Sequence, residues 1–132
     1  MTRTLNLGDS LPEVHVEATP TFVISSAIAT RDFQDVHHDR DLAVARGSKD
    51  IFVNILTTTG LVQRYVTDWA GPEALVRAVD IRLGAPCYAH DTLKFFGQVV
   101  ERFDDDGYVV EVVGRTPQGD HVVGTVRIEV PA

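Results

Sequence analysis

One stretch limits the possible folds more than any other. From Ser48 to Trp69, apolar residues recur at steps of three and four: Ile51, Ile55, Thr58/Thr59, Val62, Val66 and Trp69. Phe52, Leu56 and Tyr65 widen that stripe. This is the pattern of a long helix, with Ser48 or Asp50 as its cap and Gly71-Pro72 as its stop. The apolar residues spread so far round the helix that much of its circumference is expected to be buried. Gly60, in mid-helix, costs about 1 kcal/mol against alanine, which suggests that another backbone passes close by.

No second pattern of this kind occurs. Leu11 to Ala18 alternates polar and apolar residues and reads as a strand interrupted at Pro20. Thr21 to Ser25 reads as a further short strand, and Ser25 to Thr30 as a turn of helix or an irregular link. Asp39 or Asp41 caps a short helix that runs through Arg46 and ends at Gly47. After Pro72 the period changes to two. Strands are expected at Ala74–Leu83, Thr92–Phe103, Tyr108–Gly114 and His121–Val130. Turns fall at Asp104-Asp105-Asp106-Gly107 and Pro117-Gln118-Gly119-Asp120. Gly84-Ala85-Pro86 reads as a bulge, with Cys87 to Ala89 continuing the strand.

A helix this apolar cannot lie on a flat sheet with its back to water. The expected architecture is α+β, with an antiparallel sheet curved around one central helix in a single domain over 1–132. Met1 to Ser10 reads as a loose arm without the apolar run of a secretion signal.

The formal net charge of −7 argues against nucleic acid or an anionic membrane as a partner, since both require a basic face. The single cysteine, Cys87, cannot form an intrachain disulfide, which fits a reducing cytoplasmic setting. It reads as a buried structural thiol.

Chemistry concentrates in Arg31 to Ala43, a polar loop with Asp32 and His37 five positions apart and Val36 just before the histidine. An aspartate and a histidine on one loop can hold a water between them and share proton transfers. A capped loop with a structural histidine is the plainer alternative. His38 reads as exposed, and Asp35 and Asp39 as solvated loop acids. Thr57, Thr58 and Thr59 read as helix packing, and Tyr65 and Trp69 as core or interface. His15, His90 and His121 show no metal-ligand spacing, and Asp104 to Asp106 reads as a solvated turn.

This loop and the segment from Arg82 to Thr92 resemble the signature of the MaoC-like (R)-specific enoyl-CoA hydratases. Asp32, Val36, His37 and Ala43 match the family pattern, with Gln34 and Asp35 in place of its Asn-Pro pair. Pro86-Cys-Tyr-Ala-His-Asp-Thr92 resembles the family's Pro-Val-Tyr-x-Gly-Asp-Thr. The resemblance covers about 11–130 and implies the hot-dog fold. It also implies addition of water across a trans-2-enoyl-CoA, with Asp32 as base and His37 holding the water. No cofactor is implied beyond the coenzyme A of the substrate.

Val53-Asn54 stands where the family carries histidine and glycine, so the Asn54 backbone N–H is the implied oxyanion donor. Arg64, Arg82 and Lys94 are candidate coenzyme A contacts, some of which the partner subunit could supply instead. The runs Gly47 to Leu56 and Gly60 to Trp69 resemble the small subunits of heteromeric steroid enoyl-CoA hydratases. That branch implies a larger MaoC-like partner in a heterotetramer and a bulky steroid side-chain acyl group.

Relative to the family, Phe22 to Arg31 leaves room for only a stub of helix, which is expected to open the acyl pocket. A non-catalytic scaffold subunit is the rival function. A hot-dog thioesterase is a weaker one, because the helix offers only Asp68, at its far end.

Overall fold

A computed structural model describes residues 5–131. Five strands form one antiparallel sheet: β1 (Ser10–Glu17), β2 (Leu75–Leu83), β3 (Thr92–Phe103), β4 (Gly107–Thr116) and β5 (Gly119–Glu129). Their spatial order is β1-β3-β4-β5-β2. Three α-helices precede β2: α1 (Pro20–Ala29), α2 (Arg40–Ala45) and the long α3 (Ile55–Ala70).

The period of two in the last three strands sends one set of side chains inward. Phe95 and Val99 of β3, Val110 and Val112 of β4, and Val122, Val126 and Ile128 of β5 are all buried. Thr58, Val62, Tyr65, Val66 and Trp69 of α3 are buried with them. Gly97 lies in the inward row. A Cβ there would meet the Tyr65 ring at 3.0 Å and the Leu11 side chain at 3.2 Å, so the missing side chain makes room for the helix. Tyr65 stacks on Phe95 at 5.3 Å and donates its hydroxyl hydrogen to the Pro12 carbonyl at 2.7 Å. Burial, with a smaller effect of Glu13, pushes that phenol up to about 12.

Several local expectations change. The stretch from Thr21 is neither a strand nor a stub. Thr19 accepts from the Phe22 N–H and Pro20 opens the helix, so an N-cap and a proline in the first turn outweigh the β-forming Phe22-Val23-Ile24. The ten-residue α1 removes the premise for an acyl pocket opened by a missing helix. Helix α3 starts at Ile55 rather than near Ser48, because Ile51–Val53 pairs with another segment. Cys87–Ala89 is that segment, so it does not prolong β2. Gly84 and Ala85 instead donate to the His121 and Asp120 carbonyls, each at 2.8 Å.

The long helix is buried on one side only. Ile55 and Leu56 are 51% and 53% exposed, and a Cβ at Gly60 would meet nothing within 4 Å, so no backbone of the described residues passes there. Residues 1–4 of the expected loose arm lie outside the described residues. Leu5 is buried in the core, Gly8 donates to the Val99 carbonyl and Val99 to the Asp9 carbonyl, so this part of the arm is tied to β3 although Leu7 stays exposed.

A buried polar pair ties α3 to the sheet. His121 donates through Nδ1 to the Ala85 carbonyl at 2.7 Å, so its Nε2 accepts from the Thr58 hydroxyl at 2.8 Å. Burial holds the His121 pKa below its ordinary value of 6.5, against a smaller opposing effect of the Ala85 bond.

Two expectations follow. The unfolded chain protonates His121 at higher pH than the folded chain does, so stability is present near neutrality and falls as pH drops below about 6.5. This proton contributes a slope of at most ~1.4 kcal/mol per pH unit. Thermal melts from pH 8 to 5 should show that loss, and His121→Gln should flatten it. At Gly124 a Cβ would stand 2.1 Å from the Asp80 carbonyl oxygen. Gly124→Ala should therefore part β2 from β5 and cost roughly 1–3 kcal/mol, read by chemical denaturation.

Candidate active site

The site begins where α1 ends. Thr30 is the C-cap, and Arg31 follows with φ of +57°, a left-handed conformation unfavourable for a side chain with a Cβ. The Arg31 N–H donates to the Ile28 carbonyl at 3.0 Å and the Asp32 N–H to the Ala27 carbonyl at 2.9 Å. These are the two bonds of a Schellman cap. They fix the backbone of Asp32 against the helix. Of its carboxylate oxygens, Oδ1 accepts from the Gln34 N–H at 3.3 Å, whereas Oδ2 faces His37.

Asp35–His37 forms one turn of 3-10 helix. Val36 packs on the core and accepts from the Phe52 N–H at 3.1 Å. His37 lies next to it, with Nδ1 2.7 Å from the Phe52 carbonyl oxygen and its ring edge-on to the Phe52 ring at 4.9 Å. A carbonyl oxygen can only accept, so Nδ1 carries the hydrogen. In the neutral ring Nε2 therefore holds the lone pair, and it stands 3.4 Å from Asp32 Oδ2. The two side chains are only 7% and 15% exposed, the aspartate being the more open of the two.

Asn54 completes the arrangement as the N-cap of α3. Its side chain makes no bond to its own helix backbone. Instead Nδ2 donates to Thr30 Oγ1 at 2.8 Å, and Oδ1 accepts from the Thr57 hydroxyl. No described residue accepts from the N–H groups of Asn54, Ile55 or Leu56. Free N–H groups and the positive end of the helix dipole therefore sit two residues beyond the carbonyl that orients His37.

Asp32, His37 and Asn54 thus come together. The three basic candidates do not join them. Arg64 is exposed on α3 and bonds Asp68 at 3.4 Å. Arg82 lies near the end of β2, in a groove with Asp80 and Glu111. Lys94 projects from the outer side of β3, in register with His15 and Arg115. The grooves these three line contain neither Asp32 nor His37.

Other expectations divide. Ala43 is fully buried, and Asp39 caps α2 by accepting from the Leu42 N–H at 3.1 Å. Asp35 is not merely solvated, since it pairs with Arg46 at 2.7 Å. His38 is half-buried rather than exposed, and its Nδ1 is buried without a partner among the described residues. Thr30 and the Phe52 carbonyl went unnoticed in the sequence. Thr30 lies 24 residues from Asn54, and no spacing rule joins a helix C-cap to a distant N-cap. Among the described residues no group of His, Cys, Asp and Glu is arranged to hold a metal, and no helix is long and apolar enough to cross a membrane.

No family model matches the chain. It is 62% identical, over 92% of its length and 94% of the relative's, to the 3-oxo-4,17-pregnadiene-20-carboxyl-CoA hydratase beta subunit of Mycobacterium tuberculosis. The chain belongs to the MaoC-like enoyl-CoA hydratase family. The crystal structure of the ChsH1-ChsH2 complex from M. tuberculosis superposes with a TM-score of 0.93 at 58% identity, covering 97% of this chain and all of that one. The unliganded R-hydratase PhaJ1 from Pseudomonas aeruginosa gives 0.85 at 20% identity, over 96% of this chain and 83% of that one, and shows the shared hot-dog fold.

In this MaoC-like domain Cys87 lies under the site, on the strand segment that holds Phe52. It is fully buried, and burial with a smaller effect of Asp91 pushes its thiol up to about 12. A thiol reagent at pH 8 should leave native protein nearly unlabelled and label one cysteine per chain after denaturation, as mass spectrometry would read.

Proposed function

We propose that this chain is the catalytic small subunit of a heteromeric enoyl-CoA hydratase, adding water across the 2,3 double bond of an enoyl-CoA. The relative's substrate, a 3-oxo-4,17-pregnadiene-20-carboxyl-CoA, represents the proposed class: a coenzyme A thioester with a bulky steroid acyl group. A larger MaoC-like subunit is its proposed partner, in a heterotetramer, and the reaction calls on no cofactor besides the coenzyme A of the substrate.

One observation carries the reading: the bond from His37 Nδ1 to the Phe52 carbonyl, which aims Nε2 at Asp32 Oδ2. Two acceptors 3.4 Å apart suit a water that donates one hydrogen to each. Its oxygen lone pairs then point away from both, towards the β-carbon of a bound thioester.

In the forward direction the water oxygen bonds to the β-carbon as Asp32 takes its proton, with His37 holding the water in line. The α-carbon then receives a proton from the pair, and the carboxylate and imidazole return to their starting state. Asp32 and His37 bear on the same water, so the proton transfers are assigned to the pair together. Negative charge builds on the thioester oxygen during the addition. The Asn54 N–H, at the positive end of α3, is the proposed donor for it, in a role whose loss typically costs on the order of 10²–10³ in rate.

Phe33, beside Asp32, and Ile55 and Leu56, beside Asn54, are large apolar residues left exposed. They suit an apolar acyl group or the partner subunit as their cover. Coenzyme A contacts from Arg64, Arg82 or Lys94 belong to the same proposal, with the scatter of these residues favouring a share contributed by the partner.

The test is loss of enoyl-thioester absorbance with the steroid enoyl-CoA, using the complex of this chain with its partner. Asp32→Asn and His37→Ala should each lower kcat by ~10² or more with the complex intact by gel filtration, in line with loss of a general acid or base. If both variants keep near-full activity, this chain is a scaffold and its partner carries the chemistry.

A further inference from the structure

We propose that Thr30 and the side chain of Asn54 are positioning residues that hold the water-binding loop and the oxyanion-binding helix end at a fixed separation; this rests on the hydratase reading above. The position where the family resemblance expects a glycine carries a side chain here, and that side chain is almost wholly buried, at 1% exposure. It does not point where a capping asparagine would. An N-cap asparagine ordinarily accepts from the N–H two or three residues on, which would consume a donor at the helix end. Here Oδ1 accepts from the Thr57 hydroxyl and Nδ2 donates to Thr30 Oγ1. Both polar ends of the amide are therefore engaged, and no described residue takes up the backbone N–H groups of Ile55 and Leu56.

Thr30 occupies the matching position on the other side. Its hydroxyl hydrogen can go to the Ser26 carbonyl at 2.8 Å or the Ala27 carbonyl at 3.0 Å, so the same oxygen is left as acceptor for Asn54. Ala27 is also the carbonyl that receives the Asp32 N–H. The chain of bonds thus runs from the first turn of α3 through Asn54 and Thr30 to the last turn of α1, where the Asp32 backbone is fixed. A second tie, from Phe52 to Val36 and His37, secures the histidine. Without the Asn54–Thr30 bond the aspartate side of the site loses its direct link to the helix whose N–H meets the thioester. Distances between base, water and oxyanion donor would then vary, and errors near 1 Å can cost as much as 10² in rate.

The experiment compares Thr30→Val, Thr30→Ser and Asn54→Asp, each in the complex with the partner subunit, with Asp32→Asn alongside. Thr30→Val keeps shape and removes the hydroxyl. It should lower kcat by roughly ten- to a hundredfold while KM for the steroid enoyl-CoA stays within about twofold. Thr30→Ser restores the hydroxyl and should recover most of the rate. Asn54→Asp is nearly isosteric, but its carboxylate is almost wholly buried and loses the bond to Thr30, so its complex should assemble and melt below the parent. It cannot donate to Thr30, and it sets a negative charge beside the developing oxyanion, so its kcat should fall by ~10² or more.

Full activity in Thr30→Val or Asn54→Asp overturns the proposal. So does a Thr30→Val defect confined to KM, or one that Thr30→Ser shares. If Thr30→Val yields no complex, Thr30→Ala takes its place, with the same expected loss of kcat at unchanged KM. If Asp32→Asn is inactive while these variants are normal, positioning fails and the hydratase reading stands. If Asp32→Asn is fully active, the hydratase reading itself has failed.

Discussion

The site depends on a short backbone bridge. Val53 donates to the Cys87 carbonyl and Ala89 to the Ile51 carbonyl, both at 2.9 Å, with Phe52 opposite Tyr88 between them. An extended segment committed to this pairing cannot be helical, so α3 starts two residues after Val53. The same extension presents Phe52 with its carbonyl towards His37 and its N–H towards the Val36 carbonyl. The histidine's tautomer, the start of the helix and the burial of Cys87 all follow from one pair of hydrogen bonds.

Around that bridge the chain accepts local costs for geometry. Arg31 takes a left-handed conformation, worth roughly 1–2 kcal/mol of strain, so that the chain can turn sharply out of α1 into Asp32. His37, Asn54, Thr57 and Thr58 are buried polar residues, and each has its hydrogen bonds within the site or to His121. Buried polar groups that are all partnered hold a unique arrangement, whereas an orphaned one would cost about 1–3 kcal/mol. The site is thereby stiffened by hydrogen bonds, while the strands behind it are held by apolar packing. The other side of α3 stays open at Ile55, Leu56 and Gly60, so one chain alone leaves apolar helix surface uncovered.

Much of this was legible in the residues. The period of two after Pro72 located β2, β3, β4 and β5 to within a few positions, because each strand has one inward face and alternation reports it directly. One long helix beside an antiparallel sheet was legible from the stripe ending at Trp69, although that helix is buried on one side only. The closeness of Asp32 and His37 was legible because both lie on one short loop. The helix start was misplaced because Ile51 and Val53 are apolar for a different reason, being buried in the bridge. Phe22-Val23-Ile24 favours a strand, whereas Thr19 and Pro20 supply the helix start that prevails.

The sequence by itself determined what local periodicity and local chemistry can encode: the strand meander, the presence of a long helix, and an acid and a base five positions apart. Tertiary structure decided which atoms of those groups face each other. The tautomer of His37 depends on a carbonyl 15 residues away, and the rotamer of Asn54 on a hydroxyl 24 residues away. Arg64, Arg82 and Lys94 show the same limit from the other side, since a basic residue's type says nothing of where the fold will carry it. Periodicity survives in a linear chain because it repeats; a contact between distant residues is made once, and only folding brings its two halves together.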